Sequence, residues 1–168
     1  MMKTRQIVLT GLFIALAILL PSFFHVIGLG KTFLPMHIPV LMAGLSTGSV
    51  SGLIAGILAP LLSSLLTGMP PFPFVIAMTC ELAVYGYMTG FFVKRLNIYI
   101  SVVLSMVCSR LAYGSIYFLI LPLFGIKVSM GYLLTGVLIA SLPGIICQFA
   151  LVPVFVMVQK ARNENFIL

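Results

Sequence analysis

The chain has 168 residues, of which 62% are hydrophobic and only 7% charged, and its formal net charge is +7. Soluble domains carry about 25% charged residues, so this composition excludes a water-exposed globular domain and predicts a polytopic membrane protein. The basic residues lie mostly between apolar runs, where membrane topology places them, and the net charge therefore does not indicate nucleic-acid binding. No shift in composition marks a boundary, so residues 1–168 are predicted to form one domain.

The apolar runs predict an all-α integral membrane fold. A membrane-spanning helix needs about 20 apolar residues, and four ranges meet this length: 6–29, 74–93, 98–121 and 131–158. The first follows a basic start but has no clear A-x-A cleavage site, so we interpret it as a retained span and not as a cleaved signal peptide. Residues 35–67 would form either one long tilted helix or two short helices joined near residues 46–51.

The distribution of basic residues favours two helices in this range. Two helices give six transmembrane helices in all, with the N- and C-termini both cytoplasmic. The basic residues on the cytoplasmic side would then be Lys3, Arg5, Lys94, Arg95, Lys160 and Arg162, against Lys31 and Lys127 outside. A single helix would move the loop at Lys94 and Arg95 outside, against the positive-inside rule. Short spans near the middle of a membrane protein are acceptable where neighbours bury their ends.

Glycine recurs every fourth residue around the proposed break, at Gly44, Gly48, Gly52 and Gly56. Residues four apart share one face of a helix. Glycine on such a face lets another backbone come close. The pattern therefore predicts tight helix packing, and a role in ligand binding is the less favoured interpretation.

Motifs for catalysis and nucleotide binding are missing from the sequence. The stretch at residues 28–32, GLGKT, imitates the end of a P-loop, but His25 stands where the first glycine is required. The chain has no Asp, which excludes a Ser-His-Asp triad and an aspartyl dyad, and it has no HExxH zinc motif. We therefore expect no enzyme activity, no metal site and no cofactor.

Two ionisable residues, Glu81 and Arg110, fall inside predicted spans. Charges at the centre of a membrane helix cost about 2.5–3.5 kcal/mol each on insertion scales and are functional by default. At about 1.5 Å per residue, Glu81 lies about 10 Å below the outer boundary of a span that begins near Phe74. Arg110, counted from Ile98 in a core about 30 Å thick, lies about 12 Å below that boundary. The two charges are thus predicted to lie at similar depth on adjacent antiparallel helices.

Each charge has suitable neighbours at helical spacing. Met78 and Tyr85 stand three residues before and four after the carboxylate, and Tyr113 and Tyr117 follow the guanidinium by three and seven residues. A carboxylate, a guanidinium and several aromatic rings predict a binding site for a small, flat, polar molecule. The alternative is a purely structural ion pair, with the tyrosine rings filling space.

His37 lies between Pro35 and Pro39 at the outer mouth of the second predicted span. It would line the entrance to the site or, equally, be an interfacial histidine without function. The loop at residues 68–73, GMPPFP, would be a lid or, more plausibly, a plain turn that ends a helix. Gln148 falls deep in the sixth span, and we interpret it as a helix–helix contact.

Two segments resemble one known family: residues 34–71, LPMHIPVLMAGLSTGSVSGLIAGILAPLLSSLLTGMPP, and residues 81–90, ELAVYGYMTG. They are similar to the substrate-binding S components of energy-coupling factor (ECF) vitamin transporters. The resemblance implies a multi-pass protein of the bacterial plasma membrane that binds a vitamin from outside. It also implies two kinds of partner, a transmembrane T subunit and two ATPase subunits.

The resemblance also implies a docking patch for the T subunit on the first span, where the family often carries Ala-x-x-x-Ala. Here Gly11 and Ala15 match the pattern, with Ala17 nearby. Gly11 replaces the first alanine, so small residues are kept but the literal pattern is not.

The ligand implied by the resemblance is pyridoxine, hydroxymethylpyrimidine or a pantothenate-like molecule. Two other functions stay open from the residues alone. One is a stand-alone secondary transporter or channel, although the chain offers no second buried acid for a proton relay. The other is a non-catalytic membrane scaffold.

Overall fold

The computed structural model describes residues 3–26, 35–133, 135 and 142–161, and the regular structure in these residues is all helical. The helices are α1 (Thr4–Val26), α2 (His37–Thr47), α3 (Ser49–Thr67), α4 (Phe74–Phe92), α5 (Ile98–Leu119), a short 3-10 helix (Leu121–Phe124), α6 (Met130–Tyr132) and α7 (Leu142–Ala161). The predicted all-α fold is confirmed for this part of the chain.

Four of the described helices are long and apolar enough to cross a membrane: Thr4–Phe23, Ser49–Thr67, Phe74–Phe92 and Ile98–Phe124. Two further stretches are apolar, the helix His37–Thr47 and the part Leu142–Val154 of α7. The first has 11 residues and extends about 16 Å, about half of a hydrocarbon core. Part of the last predicted span, residues 134 and 136–141, lies outside the described residues, as do Lys31 and Arg162.

The range 35–67 forms two helices that meet at Gly48, as the charge distribution predicted. Gly48 has φ 98° and ψ 179°, a combination that is essentially restricted to glycine. Its N–H donates to the carbonyl of Gly44 at 3.1 Å, and its own carbonyl accepts from Gly52 at 3.0 Å. A single residue therefore ends α2 and begins α3.

The other three glycines of the four-residue pattern pack against α4, which confirms the predicted close packing. A Cβ atom on Gly44 would lie 2.7 Å from the carbonyl oxygen of Gly86, and a Cβ on Gly52 or Gly56 would overlap the backbone of Gly86 or Leu82. Only glycine permits this backbone-to-backbone approach. We refer to these contacts of α2 and α3 with α4 as the glycine seam.

Small polar residues line the buried face of α5. Ser101, Ser105 and Ser109 recur every fourth residue and are all buried. Each donates its hydroxyl hydrogen to a backbone carbonyl three or four residues earlier, at 2.6–3.0 Å. The hydroxyl groups are thus satisfied within their own helix. This narrow face packs on α4 and fixes the pairing of the two helices that carry Glu81 and Arg110.

The loop at residues 68–73 is tied back to the end of α3. Ser63 and Ser64 donate their hydroxyl hydrogens to the carbonyl oxygens of Met69 and Pro70, both at 2.8 Å. The ring of Phe72 lies edge-on to that of Phe124 in the 3-10 helix, with centroids 5.0 Å apart. These contacts connect the loop between α3 and α4 with the segment that follows α5.

Candidate functional site

Glu81 and Arg110 contact each other inside the helical bundle. Nη1 of Arg110 lies 2.8 Å from Oε1 of Glu81, and the two side chains are only 17% and 4% exposed. The two residues come from α4 and α5, whose close pairing brings the groups to the same depth. The depth calculation from sequence predicted the similar depth, and the structure adds that the two side chains contact each other.

His37 completes a three-residue cluster with this pair. Its Nε2 atom lies 3.4 Å from the same Oε1 atom of Glu81. The residue is 4% exposed, so the structure places it inside the bundle, at the start of α2, and not at an open entrance. We refer to His37, Glu81 and Arg110 as the polar cluster.

The polar cluster is held by charge and proximity more than by aligned hydrogen bonds. Although the distances are short, Oε1 of Glu81 and both ring nitrogens of His37 are buried without a correctly oriented hydrogen-bond partner among the described residues. Buried polar atoms in folded proteins normally have a partner, and an unsatisfied one costs about 1–3 kcal/mol. An exception of this kind at a buried ionisable cluster marks a candidate binding site.

Tyr85 lies one turn after Glu81 and closes the cluster on the side of α7. Its ring is tilted by 50° against the imidazole of His37, with centroids 5.7 Å apart. Its hydroxyl donates to Oε1 of Gln148 at 2.6 Å. The predicted site residue Tyr85 is therefore fully buried, with its hydroxyl engaged inside the protein.

Gln148 belongs to this site, although the sequence indicated only a helix–helix contact. It does join α7 to α4, but it does so through the hydroxyl of a candidate site residue. A weak signal was present in the sequence, since Gln148 is the only amide side chain among residues 142–158.

Tyr113 and Tyr117 follow Arg110 on α5 and stack on each other, with centroids 6.1 Å apart and rings inclined by 17°. Tyr117 packs in a second apolar cluster with Ala77 and Leu121, and Tyr113 lies against it. The Tyr117 hydroxyl also accepts a hydrogen bond from the backbone N–H of Ser129 at 3.3 Å. The two rings thus form a separate aromatic layer that lies nearer than the polar cluster to the C-terminal end of α5.

Met78, the remaining predicted neighbour of the carboxylate, is half-buried and packs against the main hydrophobic core. No group of three or more His, Cys, Asp or Glu side chains that could hold a metal ion is found in the described part of the chain.

The three residues of the predicted docking patch do not share one surface. Gly11 and Ala15 are exposed on α1, and no atom lies within 4 Å of the position of a Cβ on Gly11. Ala17 is fully buried in the main core, because a residue two positions further along a helix points to another side. A docking surface on α1 would therefore include Gly11 and Ala15 but not Ala17.

Comparison with known proteins gives one match. A family model described as "ECF transporter, substrate-specific component" matches residues 5–156. No curated protein and no solved structure gave a significant match to the chain. The matched range contains α1 to α6, most of α7 and the whole polar cluster.

Proposed function

This chain belongs to the family of ECF transporter substrate-specific components, and from this membership we propose that it binds a small water-soluble vitamin or vitamin precursor with high affinity. The pyridoxine, hydroxymethylpyrimidine and pantothenate types are the candidates. The family is one of transporter components and not of enzymes, and we expect no catalytic activity from this chain.

The observation that carries this proposal is the polar cluster. Two ionisable side chains, from α2 and α5, converge on one carboxylate oxygen of Glu81 on α4 in the interior of a membrane protein. Intramembrane charges mark substrate pathways and binding sites more often than structural pairs. The unsatisfied atoms of His37 and Glu81 support the same assignment, because a bound ligand would supply hydrogen-bond partners that the described residues do not.

The arrangement in the membrane follows from the same family membership. We propose six spans with both termini in the cytoplasm of a bacterial plasma membrane, where α2 contributes a short span and α7 belongs to the last span. A transmembrane T subunit would dock on the exposed small residues Gly11 and Ala15, which permit close helix approach. Two ATPase subunits bound to the T subunit would supply the energy for import.

Purification of the chain with and without a T subunit and ATPases tests the proposed function. We expect the subunits to co-purify, a vitamin-like molecule to be carried through into mass spectrometry, and uptake into proteoliposomes to require ATP. Uptake by the chain alone would instead indicate a secondary transporter or channel. Absence of any saturable ligand would indicate a scaffold, and either result contradicts the proposal.

Site variants test the polar cluster directly. Because Glu81→Gln removes the charge on which the cluster converges, we expect it to weaken binding of the co-purified ligand at least about tenfold in calorimetry, while the protein still folds. A matched control is Ser115→Ala on the exposed side of α5, whose hydroxyl contacts only its own helix. Unchanged affinity in Glu81→Gln would remove the polar cluster from the binding site.

A further inference from the structure

We propose that the polar cluster recognises an uncharged edge of the ligand, in which a hydrogen-bond donor stands beside an acceptor, as in an amide. The donor would bind Glu81 and the acceptor would bind Arg110, and a carboxylate in the same place would be rejected. This inference rests on the proposed function and specifies the chemistry of the ligand at that site.

The first argument is the charge balance. Glu81 and Arg110 are 2.8 Å apart, so the guanidinium is already neutralised by a buried carboxylate. A carboxylate ligand that approached Arg110 would place a second negative charge beside Glu81 in a medium of low dielectric constant, where like charges repel strongly. A neutral ligand leaves the balance unchanged.

The second argument is hydrogen-bonding capacity. The observed contact uses Nη1 of Arg110 and Oε1 of Glu81. A guanidinium carries several N–H donors in a planar fork, and a carboxylate accepts at both oxygens. The contact uses one nitrogen of Arg110 and one oxygen of Glu81, so N–H donors of the guanidinium stand next to acceptor sites of the carboxylate. A ligand complements this pattern if it presents an acceptor to Arg110 and a donor to Glu81.

The third argument is the state of the neighbouring groups. The Tyr85 hydroxyl is already a donor to Gln148, so it does not compete for an acceptor on the ligand. His37 is buried, with Nε2 3.4 Å from Glu81 and with neither ring nitrogen in a correctly oriented hydrogen bond, so its ring adds a further polar contact point beside the ion pair. A ligand edge that both donates and accepts would contact this ring as well as the ion pair.

Three nearly isosteric probes differ in charge and test this inference: benzamidine is a cation, benzamide is neutral and benzoate is an anion. Binding to the purified full chain would be measured at millimolar concentration by thermal shift and ligand-observed NMR. We expect benzamide to bind at least about tenfold more tightly than benzoate, which corresponds to about 1.4 kcal/mol.

Variants of the ion pair then shift the preference in opposite directions. Glu81→Gln leaves Arg110 unbalanced, and the ratio of benzoate to benzamide affinity should rise at least about tenfold. Arg110→Gln leaves Glu81 unbalanced, and the preference should move to benzamidine. If one variant fails to fold, the other tests the same balance, and Ser115→Ala should keep the preference of the natural chain.

Three outcomes would overturn the inference: a natural chain that prefers benzoate, preferences that do not change in either variant, or no binding of benzamide at all. These outcomes differ from a failure of the proposed function. A carboxylate-selective chain that co-purifies with ATPases would keep the function and lose the inference. A chain that selects the amide but imports without ATP would keep the inference and lose the proposed function.

Discussion

The hydroxyl of Tyr85 donates to Oε1 of Gln148 at 2.6 Å, with both side chains buried. The bond joins α4 to α7 directly beside His37, against which the ring of Tyr85 lies. On α7 the buried side chain of Gln148 shares one face with Gly144 and Val152, which are also buried. The last described helix is thus connected to the polar cluster through one tyrosine.

Breaking this bond from either side should destabilise the protein. Tyr85→Phe leaves the Gln148 carbonyl unsatisfied, and Gln148→Leu leaves the Tyr85 hydroxyl unsatisfied, and each should cost about 1–3 kcal/mol. The double variant should be more stable than the sum of the two effects indicates, with a coupling of about 0.5–3 kcal/mol. Thermal unfolding in detergent measures this cycle, and strictly additive effects would mean that the bond does not form.

The glycine seam should tolerate no added methyl group. In Gly52→Ala the new Cβ would overlap the backbone of Gly86, so we expect a loss of at least about 1–3 kcal/mol, as found for overpacked cores. Gly114→Ala is the matched control, because its nearest contact would be an ordinary 3.7 Å to Leu133. Equal melting temperatures for the two variants would contradict the seam.

Two glycines with positive φ, Gly48 and Gly68, should differ in their tolerance of asparagine. Gly48 has φ 98° and ψ 179°, a region that is essentially restricted to glycine, and Gly68 has φ 73° and ψ 3°, a left-handed conformation that asparagine tolerates. We expect Gly48→Asn to lower stability by about 1–3 kcal/mol and Gly68→Asn to have a much smaller effect. The reverse order, measured by thermal unfolding, would show that α2 and α3 are joined differently.

The effect of the Glu81–Arg110 ion pair on stability should be separable from its effect on ligand binding. Arg110→Met alone removes the charged partner of Glu81 and leaves a buried carboxylate with only His37 beside it, so it should cost up to about 3–5 kcal/mol. Adding Glu81→Met removes that charge, and replacement of a whole buried pair by apolar side chains is often neutral or stabilising. We therefore expect the double variant to melt near the natural chain yet bind no ligand, and retained binding would refute the role of the pair.

The exposed face of α1 should be needed for assembly and not for ligand binding. Ala15→Trp adds a large side chain beside Gly11, so we expect loss of co-purification with the T subunit and unchanged ligand affinity, because close approach requires small residues. Val103→Trp, at an exposed position on α5, is the control and should assemble normally. Assembly of Ala15→Trp at the natural level would place the docking surface elsewhere.

The sequence was most informative where local spacing determines position. The four-residue glycine period predicted the seam, because helical geometry puts such residues on one face. Counting along α4 and α5 predicted that Glu81 and Arg110 lie at similar depth, because both spans are regular and antiparallel, but it left open whether they contact each other or a shared ligand. The two helices in residues 35–67 were predicted from the distribution of basic residues between the spans, which depends on the topology of the whole chain.

The sequence was less informative where a position depends on distant partners. Gln148 and Tyr85 are 63 residues apart, and nothing local to either one predicts their contact. His37 was assigned to an outer mouth from its neighbouring prolines, whereas the packing of α2 against α4 buries it. Ala17 was added to the docking patch because it lies near Gly11 and Ala15 in the sequence, and its position two residues beyond Ala15 places it in the core.

The glycine seam also determines which parts of the site are able to move. Because α2 and α3 both touch α4 backbone to backbone, none of these helices can approach another more closely without overlap, and we treat the three as one unit. Glu81 and His37 both belong to that unit, whereas Arg110 is carried by α5. Under the proposed function, a ligand would therefore be released by withdrawal of the guanidinium from a carboxylate and an imidazole that stay in place.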